Sequence, residues 1–156
     1  MSGSEFLQVF ASAATTIELA LRLYKSLATF VAKARNADRI EKSLFAKTVS
    51  LRQTLFMVHI TLRTRRGQIE GEEPTRAESC VWMNLNDSLK SWENTIRNFK
   101  TEMRKLKVTS NGKMTWIDKV LWALKYDRRN PNLMDFSRDL SDHIAELSLS
   151  LQCLSV

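Results

Sequence analysis

The side chains best suited to chemistry in this sequence lie near its C-terminus. Asp139, Asp142, His143 and Glu146 could act as acids, bases or metal ligands if they converged on one point. Their spacings of three and four residues are instead those of neighbours along one side of a helix. This arrangement is ordinary for a solvated helix face, and we interpret the four residues as surface groups.

Catalytic and metal-binding motifs are absent from the rest of the sequence. It contains no glycine-rich phosphate loop followed by Lys-Ser/Thr, no HExxH motif and no GxSxG elbow. Cys80 and Cys153 form no CxxC pair, and we interpret them as reduced structural thiols of an intracellular protein. We therefore expect no metal and no cofactor, and we predict that the chain is not an enzyme.

One long helix organises the sequence. Apolar residues recur at alternating spacings of three and four between positions 82 and 106, which predicts a dry seam on a helix of about residues 76–107. The seam consists of Trp82, Leu85, Leu89, Trp92, Ile96, Phe99, Met103 and Leu106. We expect the seam to lie in the core of an antiparallel bundle, and the alternative is an exposed dimeric coiled coil.

Two helices are predicted before this seam. The first begins at a Ser4 cap and runs to about residue 34, with no charged side chain at positions 6–17. A helix that is apolar nearly all round either lies at the centre of a bundle or inserts into lipid, and the sequence does not distinguish these two alternatives. The second follows a polar break and ends in a basic run before Gly67. Its core-facing stripe is Leu44, Thr48, Leu51, Leu55, Val58 and Leu62.

Two further helices are predicted after the seam. A short helix begins after a Thr115 cap, and a last helix begins near Leu133 with an apolar 3-4 pattern. The last helix stays apolar until the chain stops, which indicates a domain cut from a longer protein. We predict an all-α fold, in which four long antiparallel helices and one short helix form a single bundle domain over residues 5–156.

Size and charge narrow the possible functions. The chain has 156 residues, a formal net charge of +7 and a pI near 9.7, which allows attraction to nucleic acid or to anionic membrane. No nucleic-acid recognition motif is present, so nucleic acid is not an expected partner. The sequence shows no signal peptide and no run of ~20 apolar residues that would indicate a permanent transmembrane helix.

The order of the predicted helices points to a known group of proteins. An apolar helix at 6–30 leads through Lys-Ala-Arg-Asn-Ala at 33–37 into a leucine-rich second helix. Trp-Ile-Asp-Lys-Val-Leu-Trp-Ala-Leu at 116–124 then precedes a helix built on Leu140, Leu147 and Leu154. This order resembles the N-terminal domains of fungal STAND (NLR-like) proteins, the HeLo-like and SesA-like group. The resemblance covers about residues 6–154 and rests on pattern and helix order.

The resemblance implies a function and a set of membrane-active residues. It implies a helical bundle fused to a downstream nucleotide-binding domain of the same protein, with a role in fungal innate immunity, heterokaryon incompatibility and programmed cell death. Some members of the group act by inserting the N-terminal helix in membrane. By their position in the sequence, the residues that correspond to the membrane-active helix of the group are Phe6, Leu7, Val9 and Phe10. Glu18 and Arg22 interrupt the apolar run that follows them.

Basic residues at helix ends form a second predicted surface. In an up-down bundle, the connection between the first and second helices and the connection after the third lie at the same end. That end would gather basic side chains that can contact anionic lipid. These side chains are Lys33, Arg35, Arg39, Lys42, Arg104, Lys105, Lys107 and Lys113.

Two functions follow from these features. The first is a membrane-targeting effector domain that forms a homo-oligomer on activation, contacts anionic membrane lipids and induces regulated cell death. The alternative is a homotypic oligomerisation or adaptor bundle that does not contact membrane. For the first function we expect a cytoplasmic protein that is recruited to the plasma membrane on activation.

Overall fold

The computed structural model describes residues 3–35, 42–69, 74–108 and 114–154, which form five α-helices and no strand. The helices are α1 (Gly3–Arg35), α2 (Lys42–Ile69), α3 (Arg76–Arg104), α4 (Trp116–Tyr126) and α5 (Pro131–Leu154). The all-α prediction is confirmed for this part of the chain. Helix α1 begins one residue before the predicted Ser4 cap, and α3 ends three residues before the predicted end.

Threonine caps define the starts of α3 and α4. The Thr75 hydroxyl accepts a hydrogen bond from the Glu78 N–H at 3.1 Å, and the Thr115 hydroxyl accepts one from the Asp118 N–H at 3.2 Å. Each bond satisfies a backbone donor that has no partner inside the helix. Helix α5 begins at Pro131, which has no N–H, and the Asn132 N–H of the first turn donates a hydrogen bond to Asn130 Oδ1 at 2.9 Å.

Helix α2 extends beyond its predicted end. It continues through Gly67 to Ile69, whereas the sequence predicted a stop before the glycine. A glycine inside a helix costs only ~1 kcal/mol relative to alanine, so it does not by itself end the helix. The ion pair between Arg65 and Glu78 joins this part of α2 to the start of α3 and favours a helical last turn.

The predicted seam of α3 lies at the centre of the core. Its members from Trp82 to Met103 are buried, and Leu106 is half-buried just beyond the end of the helix. The stripe of α2 from Leu44 to Leu62 is buried, as predicted. The rest of the same chain covers the seam, so the exposed coiled coil is not the arrangement observed.

Helices α1 and α5 each pack mainly against α2 and α3. The direction of α1 relative to α2 follows from two contacts. The Tyr24 and Phe56 rings lie 6.0 Å apart, and the Arg66 guanidinium lies 5.1 Å from the centre of the Phe10 ring. Residue numbers therefore rise along α1 as they fall along α2, and the two helices run antiparallel.

Aromatic side chains dominate the contact between α3 and α5. The Phe99 and Phe136 rings stack with centroids 3.9 Å apart, and the Trp92 ring lies 4.5 Å from that of His143. These pairs show that α3 and α5 also run antiparallel. The prediction that His143 belongs to a solvated face is wrong, because its ring is buried against Trp92. Its neighbour Glu146 stays largely exposed on the adjoining side of the helix.

Polar contacts join α1 to α3, and these two helices run in the same direction. The buried Thr16 Oγ1 lies 2.9 Å from Asn86 Oδ1, and the Arg22 guanidinium lies 3.0 Å from the Glu93 carboxylate. Thr16 Oγ1 also lies 2.8 Å from the carbonyl oxygen of Ser12 in its own helix. This contact favours the observed register of α1 on α3, because a shift would separate the buried Asn86 side chain from Thr16, whereas Thr16 would keep its bond to Ser12.

Candidate functional site

The predicted membrane-active residues at the start of α1 do not share one surface. Leu7 is 65% exposed, Phe10 is half-buried beneath Arg66, and Val9 is only 3% exposed. The side chain of Phe6 lies outside the described part of the structure. The helical repeat turns Val9 into the core, so this member of the predicted membrane-active helix is covered in the structure, and its role in membrane stays a prediction.

The uncharged run at the start of α1 has one buried side and one solvent-exposed side. Val9, Ala13, Thr16 and Ile17 are buried, which makes α1 a core helix over this stretch. The opposite side exposes mainly small residues together with Leu7. In the described ranges of the chain, no helix is both long and apolar enough to cross a membrane.

Contacts bring together several of the predicted basic residues. The Lys33 ammonium lies 3.4 Å from the Asp118 carboxylate, and the Lys119 ammonium donates a hydrogen bond to the carbonyl oxygen of Arg104. The end of α1, the end of α3 and the start of α4 therefore meet at one end of the molecule. Lys105 belongs to the same region and pairs with Glu102 at 3.3 Å.

The remaining predicted basic residues are described only in part. Arg35 is the last residue of α1, and Lys107 follows α3 with an exposed side chain. Lys42 begins α2, but its side chain lies outside the described residues. Arg39 and Lys113 also lie outside the described part of the chain.

The observed basic surface is larger than the predicted one. We define the basic end as residues 33–35, 100–108 and 114–129, all of which the structure describes. Ten side chains in these segments are basic and three are acidic, an excess of seven that equals the net charge of the whole chain, +7. The members that the sequence did not single out are Lys100, Lys119, Lys125, Arg128 and Arg129.

Two ionisable groups report the electrostatics of the basic end. Burial lowers the pKa of Lys100, and the neighbouring Arg104 and Arg97 lower it further. The hydrogen bond from the Thr115 hydroxyl lowers the pKa of Asp118, with a further contribution from Lys33. Crowded cations disfavour one another, so an added anion would relieve repulsion at this end.

Helix α4 adds an aromatic surface to the basic end. The Trp122 and Tyr126 rings lie 5.6 Å apart, and the Lys125 ammonium lies 5.1 Å from the centre of the Tyr126 ring. Tyr126 is 63% exposed, while Ile117 and Val120 on the other side of α4 are buried. Aromatic rings with polar edges, set among lysines, suit the boundary between water and lipid headgroups.

The basic end and the start of α1 lie at opposite ends of the molecule. Leu7 and Lys33 are 26 residues apart on one continuous helix, which corresponds to about 39 Å at ~1.5 Å per residue. A flat membrane that lies across the basic end, perpendicular to α1, does not reach Leu7 in that orientation. The two predicted lipid-contacting sets therefore do not form one site.

The remaining candidates for chemistry stay separate in the structure. In the described segments, no group of three or more His, Cys, Asp or Glu side chains could hold a metal ion. Burial lowers the pKa of His143, and the carboxylates of Glu146, Asp139 and Asp142 oppose this shift only in part. Cys80 and Cys153 are free, as predicted, but both are exposed and neither packs in the core.

Comparison with known protein families, with curated proteins and with solved structures finds no match to this chain.

Proposed function

We propose that this chain is a non-enzymatic effector domain that docks on anionic membrane through its basic end. The proposal follows the resemblance to HeLo-like and SesA-like domains of fungal NLR-like proteins, and it includes oligomerisation and regulated cell death on activation. A downstream nucleotide-binding domain of the same protein would control that activation. The single observation that carries the membrane part is the charge excess of the basic end beside the exposed Tyr126.

The magnitude of the attraction supports docking without a deep lipid pocket. A basic residue near an anionic bilayer contributes about 1 kcal/mol before screening by salt. Lys33 and Lys105 already pair with carboxylates, so they contribute less than Arg104, Lys107 or Arg129. Even a handful of unpaired cations gives reversible binding at low ionic strength. The half-buried Trp122 and the exposed Tyr126 would add contact with the headgroup region.

We propose an up-down bundle of α1, α2, α3 and α5, with α4 across one end, as the resting form. Membrane insertion of the N-terminal helix would then be a second step, because Leu7 starts about 39 Å from the docked end. Release of α1 must break the Thr16–Asn86 contact and expose Val9 and Ile17 to water or lipid. Lipid can compensate for the lost apolar burial, whereas water cannot.

Vesicle co-sedimentation tests the docking step. We expect binding to phosphatidylserine-containing vesicles at low salt, no binding to phosphatidylcholine vesicles, and weaker binding as salt rises. Replacing Arg104, Lys105 and Lys107 by Glu should lower binding at least about tenfold and leave the helical circular dichroism intact.

The matched control changes the same amount of charge elsewhere. Lys25→Glu, Arg76→Glu and Lys90→Glu alter three exposed cations outside the basic end. Retained binding by this control, together with loss in the first variant, would support docking through the basic end. Equal loss in both variants would show that net charge alone drives binding and would overturn the assignment of the site.

The second candidate function is an oligomerisation adaptor that does not contact membrane. One observation favours it: α2 exposes Phe56, Met57 and Ile60 although its buried stripe lies on its other side. Such a face is suited to another protein surface. Absence of vesicle binding, with self-association retained, would favour this adaptor.

A further inference from the structure

Helix α2 has an outward face that the described residues of the chain leave uncovered. Phe56, Met57 and Ile60 are 47%, 51% and 40% exposed, and they lie within little more than one helical turn. The uncharged side chains of Gln53 and Thr64 extend this face along the helix and are also exposed. Large apolar side chains grouped on an otherwise polar surface are typical of interaction sites.

The charge of α2 restricts what can cover this face. The helix contains six basic residues and no acidic one over Lys42–Ile69. Arg65 and Lys47 contact Glu78 and Ser137, while Arg63 and Arg66 have exposed side chains. Two copies of this face would bring arginines together, so like-charge repulsion disfavours pairing of α2 with α2. The charge complement is an acidic surface.

Helix α5 carries that complement. Four acidic residues and one basic residue give it a net charge of −3, whereas α1, α2, α3 and α4 are each net positive. Its outward side exposes Leu149 at 63%, with Asp142 and Glu146 exposed within the two preceding turns. The outer side of α5 thus combines apolar contact area with carboxylates, as a partner for α2 requires.

We infer that the outer face of α2 binds the outer face of α5 from a second copy of this chain. In this contact, Phe56, Met57 and Ile60 pack beside Leu149, while Arg63 meets Asp142 or Glu146. The two surfaces differ, so the contact is head-to-tail, and each copy keeps one free α2 face and one free α5 face. Repetition yields a ring or a filament rather than a closed dimer. The inference rests on the oligomerisation part of the proposed function and specifies its interface.

Two variants that each lack one face test this interface in buffer without lipid. The first carries Met57→Asp and Arg63→Glu on α2, and the second carries Glu146→Gln and Leu149→Asp on α5, so that the two altered faces do not attract each other. Wild-type protein should self-associate at concentrations up to about 0.5 mM, which detects Kd values from micromolar to nearly millimolar, with an average mass that rises beyond twice 18.0 kDa. Each variant alone should associate at least about tenfold more weakly.

Mixing the two variants gives the deciding result. Each retains the face that the other lacks, so an equimolar mixture should form a 1:1 complex and stop there, as sedimentation velocity would show. The matched controls Met83→Asp and Asp87→Lys alter exposed residues of α3 and should associate like wild type.

Three outcomes would overturn the inference. They are a wild-type protein that stays monomeric, a dimer that survives both α5 changes, and a mixture of variants that does not associate. Because lipid is absent, these outcomes leave membrane docking through the basic end to be judged by the vesicle experiment.

Discussion

Helices α1 and α4 each contribute a candidate membrane surface, and they differ in how the fold uses them. Helix α1 has 33 residues, and its uncharged stretch is held in the core and tied to α3 by a buried polar contact. Helix α4 has 11 residues, buries one side and exposes Tyr126 among lysines and arginines. The more apolar helix is therefore the less accessible one. Accessibility to lipid depends on what the rest of the chain leaves uncovered.

The largest expected effect lies in the core against which both helices are assembled. Trp92 is fully buried and contacts Phe136 and His143, so Trp92→Ala should cost about 3–5 kcal/mol through the cavity it leaves. Denaturant unfolding measures this loss as a shift of the midpoint at unchanged slope. A loss below about 1 kcal/mol, the range of exposed positions, would contradict the central placement of the seam.

A pair of substitutions two residues apart tests whether α1 is a core helix at its start. Val9→Asp should cost about 3 kcal/mol or more, because it removes a buried side chain and buries a carboxylate. Leu7→Asp should stay within about 0.5 kcal/mol, since that side chain is exposed. Thermal or urea unfolding of both variants makes the comparison. A similar loss of unfolding free energy in the two variants would mean that α1 is not rotated about its axis as observed, with Val9 towards the core and Leu7 towards solvent.

A smaller effect should appear as a dependence of stability on pH. Because the pKa of His143 is lowered from about 6.5 in the fold, the unfolded chain binds a proton that the folded chain does not. Its contribution to stability is complete above pH 6.5 and is lost as the pH falls from there through the lowered folded pKa. His143→Gln should flatten the loss of stability over this window. Urea unfolding at several pH values gives the free energy of unfolding of both proteins. If this free energy falls equally steeply with falling pH in His143→Gln and in wild type, His143 titrates alike in the folded and unfolded states.

The sequence predicted those parts of the fold in which apolar and polar residues alternate with a clear period. The α3 seam and the α2 stripe were predicted because charged and amide side chains mark the wet side of each helix. At the start of α1 no charge marks a wet side, so the sequence could not separate Leu7 from Val9. His143 was missed because its acidic neighbours at spacings of three and four resemble a solvated face, whereas its ring fills space beside Trp92.

The basic end was predicted in part, for a related reason. Residues at the ends of α1 and α3 follow from an up-down arrangement, and their proximity is visible in the Lys33–Asp118 and Lys119–Arg104 contacts. The contribution of α4 was missed because its periodicity identified only the buried side. A signal was available in the spacing of Trp122 and Tyr126, which places both rings on one face of the helix.

The most direct test of docking through the basic end is to ask which end of the molecule enters the headgroup region. After Cys80 and Cys153 are changed to Ser, a single cysteine at position 126 or at position 7 can carry an environment-sensitive fluorophore. On phosphatidylserine-containing vesicles, and before any leakage begins, the probe at 126 should brighten and shift to the blue while the probe at 7 stays as in water. A response at position 7 without one at position 126 would contradict docking through the basic end and would place first contact at the start of α1.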